Sequence, residues 1–254
     1  MIIGGIGRLS IKGEKTAARA IRCADGCLAR TPHDVAVFRQ LANGQAPVRL
    51  LPDSALWTRV ATQLPRDLPT GRLLLLALHG GTPPALQDCL IAVCTTLAQR
   101  HGLTVCTVAM HRGQDAAAAQ RAAGATDGCV LPPLPNEVLI ALMRARGALV
   151  ISTRLHMLLF AAVAGVRAIA PQREGKIGHF AAFAATCDSA AAPPMLACPA
   201  ARKTDILAAA EQALAQPPDS AQQQHYIEHL RRAGNGFSFS ACLAAWQQKS
   251  RQSK

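Results

Sequence analysis

The stretch "GALVISTRLHMLLFAAVAGVRAIA", residues 147–170, decides the fold. Leu149-Val150-Ile151 is a short apolar run without polar alternation, the pattern of a strand buried on both faces. Ser152-Thr153-Arg154 interrupts it. The stretch 154–164 that follows is mostly apolar and reads as a buried helix. Residues 167–170 form a second short apolar strand. Strand, helix and strand in this order make one crossover unit of a parallel sheet.

The same alternation extends outward on both sides. Strands are predicted over 1–3, 26–29, 48–51, 73–78, 103–109 and 128–131, and helices over 13–23, 33–42, 54–63, 84–101, 114–123 and 135–146. The expected class is α/β: a Rossmann-like parallel sheet with helices on both faces. An Ala/Pro-rich connection follows at 190–199. Helical patterns over 203–215, 219–233 and 238–248 close the chain, broken at Pro217-Pro218 and Gly234-Asn235-Gly236. The domain reading is therefore one large domain over 1–200, with closing helices and a basic tail over 201–254.

Bulk properties narrow the function. Half of the 254 residues are hydrophobic, enough for a sizeable core. No apolar run reaches the roughly 18 residues of a membrane span, and the start of the sequence lacks a signal-peptide pattern. Nine cysteines without a C-x-x-C read as small buried hydrophobes of a reducing compartment. The expected location is the cytoplasm, with room for peripheral contact at the inner face of a membrane. The formal charge of +12 suits an anionic partner such as a phosphorylated metabolite, a lipid pyrophosphate or a membrane surface. Scattered basic residues and few aromatics argue against nucleic acid.

Ligands of open parallel sheets bind beyond the carboxyl ends of the strands. Those ends carry His79-Gly80-Gly81-Thr82, Met110-His111-Arg112-Gly113, Thr153-Arg154-Leu155-His156, Gln172-Arg173-Glu174-Gly175-Lys176 and Arg30-Thr31-Pro32-His33. Arginine, histidine, lysine and glycine hold phosphate and carboxylate groups. Arg154 and His156 stand at a helix N-terminus, where the dipole favours an anion and disfavours imidazolium. An anionic ligand beside His156 would let it act as an acid–base group. The other reading of the same spacing is a structural one: Arg154 pairs with a carboxylate and His156 packs in the turn. Asp53 reads as a helix cap and Asp115 as the start of a helix. His225 and His229 share a helix face but lack an evident third ligand, and with no D-x-D or H-E-x-x-H in the sequence no metal is expected.

The Arg154-Leu155-His156 segment, with its Ala-rich helix, Gly165-Val166 and Lys176, resembles the R-L-H segment of the polysaccharide pyruvyl transferases. Gly4-Gly5-Ile6-Gly7-Arg8-Leu9 resembles the G-x-G-I-G-P-L of that family. Arg30 falls on the arginine of its V-R-D-x-x-S motif and Asp53 on its later strand-end aspartate, although Thr31, Asp34 and Arg8 depart from the pattern. The resemblance covers about residues 1–180. It implies the C-terminal half of a two-domain, GT-B-like enzyme, with residues 1–65 taking in the region between the halves and the N-terminal half expected to be absent.

What the resemblance implies chemically is ketal pyruvyl transfer. The enolpyruvyl unit of phosphoenolpyruvate, the donor substrate, passes to two hydroxyls of a saccharide or lipid-linked oligosaccharide in cell-surface polysaccharide synthesis, without a further cofactor. His156 is then the proton donor, Arg30 and Arg154 hold phosphate and carboxylate, and Lys176, Thr153, Leu155, His79 and Gly80 contribute to substrate binding. Two alternatives stand beside this: a GT-B glycosyltransferase using a nucleotide-sugar, with Glu174 the nearby carboxylate for a ribose, and a non-catalytic or split-enzyme half that works as a homodimer or with a partner chain.

Overall fold

The structure, a computed structural model, describes residues 2–4, 11–171, 175–187 and 193–232. The chain divides into two compact units, one of residues 1–54 with 228–254 and the other of residues 55–227. The single domain expected over 1–200 is thus cut at Ser54/Ala55. The cause lies in the connection. Helix was expected over 54–63, but only a 3-10 turn forms, Ser54–Trp57. Beyond it Ala61 N donates to Glu137 O at 3.0 Å, a tertiary bond that a helix would forbid. Pro65 and Pro69 keep the chain irregular up to the next strand.

The first unit holds a parallel sheet in the order β1 (Ile2–Gly4), β2 (Gly26–Ala29), β3 (Val48–Leu50). Helices α1 (Ile11–Arg22) and α2 (Pro32–Ala42) make the crossovers. Thr31 starts α2: its hydroxyl accepts from Asp34 N at 3.1 Å and donates to the Asp34 carboxylate at 2.8 Å. Ile21, Cys27, Ala29, Val35, Phe38 and Val48 form this unit's core.

The second unit carries a six-stranded parallel sheet, with strands β4 (Leu73–Ala77), β5 (Thr104–Thr107), β6 (Cys129–Val130), β7 (Gly147–Ser152), β8 (Ala168–Ile169) and β9 (Leu196–Ala197). They lie in the order β6-β5-β4-β7-β8-β9. The helices are α3 (Pro84–His101), α4 (Arg112–Ala125), α5 (Asn136–Arg146), α6 (Leu155–Ala164), α7 (Gly175–Ala184) and α8 (Lys203–Ala215). A last helix, α9, spans Ser220–Arg232. β4 is the buried centre. Its Leu74 and Leu76, with Leu78 just beyond, pack with Leu90, Val93 and Leu97 of α3 and Ile206 and Ala210 of α8, while α5 packs on α6.

Two elements were not anticipated. β9 sits inside the expected Ala/Pro connection, because the edge of β8 takes partners there: Ala168 N donates to Met195 O and Ala170 N to Ala197 O, both at 2.9 Å. α7 occupies the expected loop, and Ile177, Phe180, Phe183 and Ala184 give it a buried stripe. The expected helix over 238–248 and the glycines Gly5 and Gly7 lie outside the described residues. No helix among the described residues is long and apolar enough to cross a membrane.

α8 is fastened to α3 by charge. Arg100 Nη1 lies 2.9 Å from Glu211 Oε1, and His101 Nε2 lies 2.5 Å from Glu211 Oε2. Desolvation pushes the Glu211 carboxyl up, but hydrogen bonds from Arg100 and His101 outweigh it and hold the group below the ordinary glutamate value. A carboxylate depressed on folding stabilises above its unfolded pKa, and that stabilisation is lost as pH falls through the folded one. Glu211→Gln should therefore cost less than about 1 kcal/mol near neutrality, as a partly exposed pair does. Urea titrations at successively lower pH should show the difference from the parent chain shrinking through the carboxylate range.

Candidate site at the switch point of the second sheet

The strand order reverses between β4 and β7, and ligands of such sheets settle in the crevice at that point. Here the two strand ends are tied together. Thr153 N donates to Ala77 O at 3.0 Å. The Thr153 hydroxyl accepts from His79 N at 2.8 Å and lies 3.0 Å from the Thr82 hydroxyl. Gln87 Nε2 donates to Thr82 O at 2.7 Å. Thr153, expected in substrate binding, is a buried strut between the two turns. Ser152 Oγ accepts from Arg154 N at 2.8 Å and lies 3.1 Å from Ala77 O, which shapes the turn out of β7.

Asp115, in the first turn of α4, is the centre of the cluster. Its side chain is fully buried. Oδ1 accepts from Gly80 N at 3.1 Å and Oδ2 from His111 N at 2.9 Å. Arg154 completes the set, with Nε 2.9 Å from Oδ2 and Nη2 on Oδ1. One carboxylate thereby joins the turns after β4, β5 and β7. The Arg154 pairing with a carboxylate is the structural reading of the turn, here with a named partner 39 residues away. The pair uses the Nε/Nη2 side of the guanidinium, and Nη2 also reaches Gln114 Oε1 at 3.1 Å. Nη1 carries no hydrogen bond among the described residues, and the arginine side chain is 21% exposed.

Gly80 gives its amide to Asp115, so that donor is engaged. A side chain there is excluded by space: a Cβ would stand 1.8 Å from Gln114 O. His79 is half-buried, and its Nδ1 accepts from Gly81 N at 2.8 Å. Leu155 is the first residue of α6 and half-buried. His156 follows it, is exposed, and its ring stacks on Phe160 with centroids 6.5 Å apart. Gly165, at φ 76°, ends α6, which accounts for the Gly165-Val166 of the sequence pattern. Lys176 is exposed in the first turn of α7, and Glu174 lies outside the described residues. Arg30 belongs to the other unit. Its Nη1 lies 3.0 Å from Asp53 Oδ2, so two positions that the family pattern singled out separately meet as an ion pair. No group of three His, Cys, Asp or Glu side chains stands together among the described residues.

A cavity of about 400 Å³ opens beside this cluster at the ends of β5 and β6. Val108, Met110 and Arg112 line one side, and Val130, Leu131 and Pro133 the other. Its lining is largely apolar, with Arg112, Gln120 and Asn136 as its polar side chains.

Neither a protein-family model nor a curated protein matches the sequence. Solved structures do match in shape. A UDP-GlcNAc 2-epimerase from Methanocaldococcus jannaschii, in complex with UDP-GlcNAc and UDP, aligns over 90% of this chain and 74% of its own at 8% identity, with a TM-score of 0.54. A UDP-forming trehalose-phosphate synthase from Burkholderia xenovorans aligns over 99% of this chain and 67% of its own at 13% identity and 0.55. MnaA of S. aureus with UDP aligns over 83% of this chain at 11% identity and 0.55, and there the chain spans just over half, 55%, of the longer protein. These likenesses establish the α/β, Rossmann-like GT-B architecture.

Removing the Asp115 carboxylate would strand a half-buried guanidinium and two backbone amides. Asp115→Ala should cost about 3–5 kcal/mol, and Asp115→Asn less, because one acceptor oxygen remains. Gly80→Ala should cost at least about 1–3 kcal/mol, since backbone rather than a flexible side chain blocks the new methyl. Urea unfolding of the three variants checks the ordering at Asp115 and the cost at Gly80.

Proposed function

We propose that the second unit binds an anionic donor across the ends of β4, β5 and β7, and that the protein serves a GT-B-type transfer to a saccharide acceptor. The observation that carries this is the saturated Asp115. In the turns after β4, β5 and β7 it is the carboxylate among the described residues, and it is buried and engaged. The accessible basic groups at these turns are Arg154, whose Nη1 carries no hydrogen bond among the described residues, Arg112 and His156. Arg154 is the anion-binding donor and His156 the group positioned for proton transfer at the start of α6.

The donor this reading favours is a nucleotide-sugar. The UDP and UDP-GlcNAc in the similar structures support it. So does the cavity lined in part by Arg112, whose volume of about 400 Å³ is large enough for a base. A second reading, pyruvyl transfer from phosphoenolpyruvate, rests on the Arg154-Leu155-His156 turn, with a directed guanidinium nitrogen and an exposed histidine two residues apart at one helix start.

Calorimetric titration of UDP and of phosphoenolpyruvate into the folded chain separates the two. Saturable UDP binding, weakened about tenfold or more in Arg112→Ala and Arg154→Gln, supports the nucleotide-sugar donor. Saturable phosphoenolpyruvate binding that His156→Ala and Arg154→Gln weaken supports pyruvyl transfer. Binding of neither by a chain with native circular dichroism overturns the donor site.

A further inference from the structure

Cys106 on β5 and Cys129 on β6 are direct register partners in adjacent parallel strands. Their side chains therefore leave the same face of the sheet. The two sulfur atoms lie 3.2 Å apart, in thiol–thiol contact. Both cysteines are free, Cys106 buried and Cys129 half-exposed at the sheet's edge strand. Paired strands hold Cα atoms at a spacing within the range that a disulfide bridges, so closure needs a rotation of the side chains and no displacement of the strands.

We propose that Cys106 and Cys129 form a redox modification site, a dithiol that a low-molecular-weight disulfide such as glutathione disulfide converts to an intrachain disulfide in the folded protein. Cys129 is the entry point because it is the more accessible member. Its thiolate attacks one sulfur of glutathione disulfide and expels a glutathione thiolate, giving a mixed disulfide. Cys106 then attacks Cys129 Sγ, releases its proton and expels the second glutathione, which takes that proton up. Two protein thiols lose two electrons and one disulfide becomes two thiols. Burial and the neighbouring Cys129 push the Cys106 thiol well above its ordinary range. That keeps Cys106 from reacting alone and leaves it to the intramolecular second step, where contact replaces concentration.

The bond would act on the neighbouring cavity. Val108 and Met110 follow Cys106 by two and four residues, and Val130 and Leu131 follow Cys129 directly, so the two walls would be tied at their base. β6 is only two residues long, and the cross-link would hold this short edge strand to β5.

The test uses the full chain, incubated with glutathione disulfide, blocked with N-ethylmaleimide and digested with trypsin. Cys106 falls in peptide 101–112 and Cys129 in peptide 122–144, each carrying one cysteine. The expected result is a linked pair of these peptides, 2 Da lighter than their sum as a disulfide requires, reversed by dithiothreitol and lost in both Cys106→Ser and Cys129→Ser. The oxidised chain should melt roughly 5–10 °C higher than the reduced one. Both cysteines fully alkylated after incubation, a mixed disulfide on Cys129 that does not resolve, or a linkage to another cysteine overturns the proposal. The measurement needs no donor or acceptor, so its outcome is independent of the proposed function.

Discussion

A charge buried away from water is stable only when its hydrogen-bonding capacity is filled, and the second unit is organised around one such charge. The Asp115 carboxylate, with no exposed surface, accepts from two backbone amides and from two nitrogens of one arginine. The donors come from the turns after β4, β5 and β7. None of those turns can move without exposing a partner to loss, so the carboxyl edge of the sheet is fixed as one piece. Thr153 repeats the arrangement on a neutral scale, joining the β4 and β7 turns through His79 N and Thr82. A preorganised edge of this kind suits a site that must present donors to a ligand without rearranging.

The frame of this unit was legible in the sequence because its signals are local. Leu73–Leu78 reads as a doubly buried strand, and the helices α3, α5 and α8 begin and end within a residue of the predicted positions. Where neighbouring strands decide, local signals fail. Leu196-Ala197 is a strand only because β8 offers its edge, and residues 58–63 leave the helix because Ala61 bonds to Glu137. The site shows the same limit more sharply. Arg154 and His156 could be located at a strand-to-helix turn from their spacing alone. The role of Asp115 could not, because its partners lie 35 and 39 residues away and meet it only once β5, β4 and β7 take their places in the sheet. An acid four residues past His111 reads as an ordinary helix start, and it is one; the arginine arrives from elsewhere.

The strand order β6-β5-β4-β7-β8-β9 also explains why one fold admits two donor readings. The switch point fixes where a ligand lies and which turns it meets, but not which group it carries. The discriminating chemistry sits to either side. Toward β5 and β6 there is a largely apolar recess with Arg112, Gln120 and Asn136 in its lining, of the kind that holds a flat ring with a few polar edge groups. At the start of α6 there is an exposed histidine next to a turn that holds an arginine rigid. A donor with a base would use the first, and a small carboxylated phosphate would need only the second.

Read from the sequence, the strand ends look strongly basic, and the chain's +12 reinforces the impression. The structure changes that electrostatic picture. The Arg154 charge is matched at contact distance by a fully buried carboxylate, so at longer range the pair is close to neutral. Long-range attraction of an anion would therefore fall to the remaining basic residues and to the N-terminal ends of α4 and α6, which carry the positive end of the helix dipole and have no side-chain cap. What Arg154 keeps is direction: with Nε and Nη2 engaged, Nη1 is held as an oriented donor. In the proposed donor site its contribution would be one of geometry, selecting an oxygen at a defined place, rather than of bulk charge. By the same logic Arg154→Lys would lose part of the arrangement, since a single ammonium cannot both satisfy the two Asp115 oxygens in the plane of the carboxylate and offer a fixed donor beyond them.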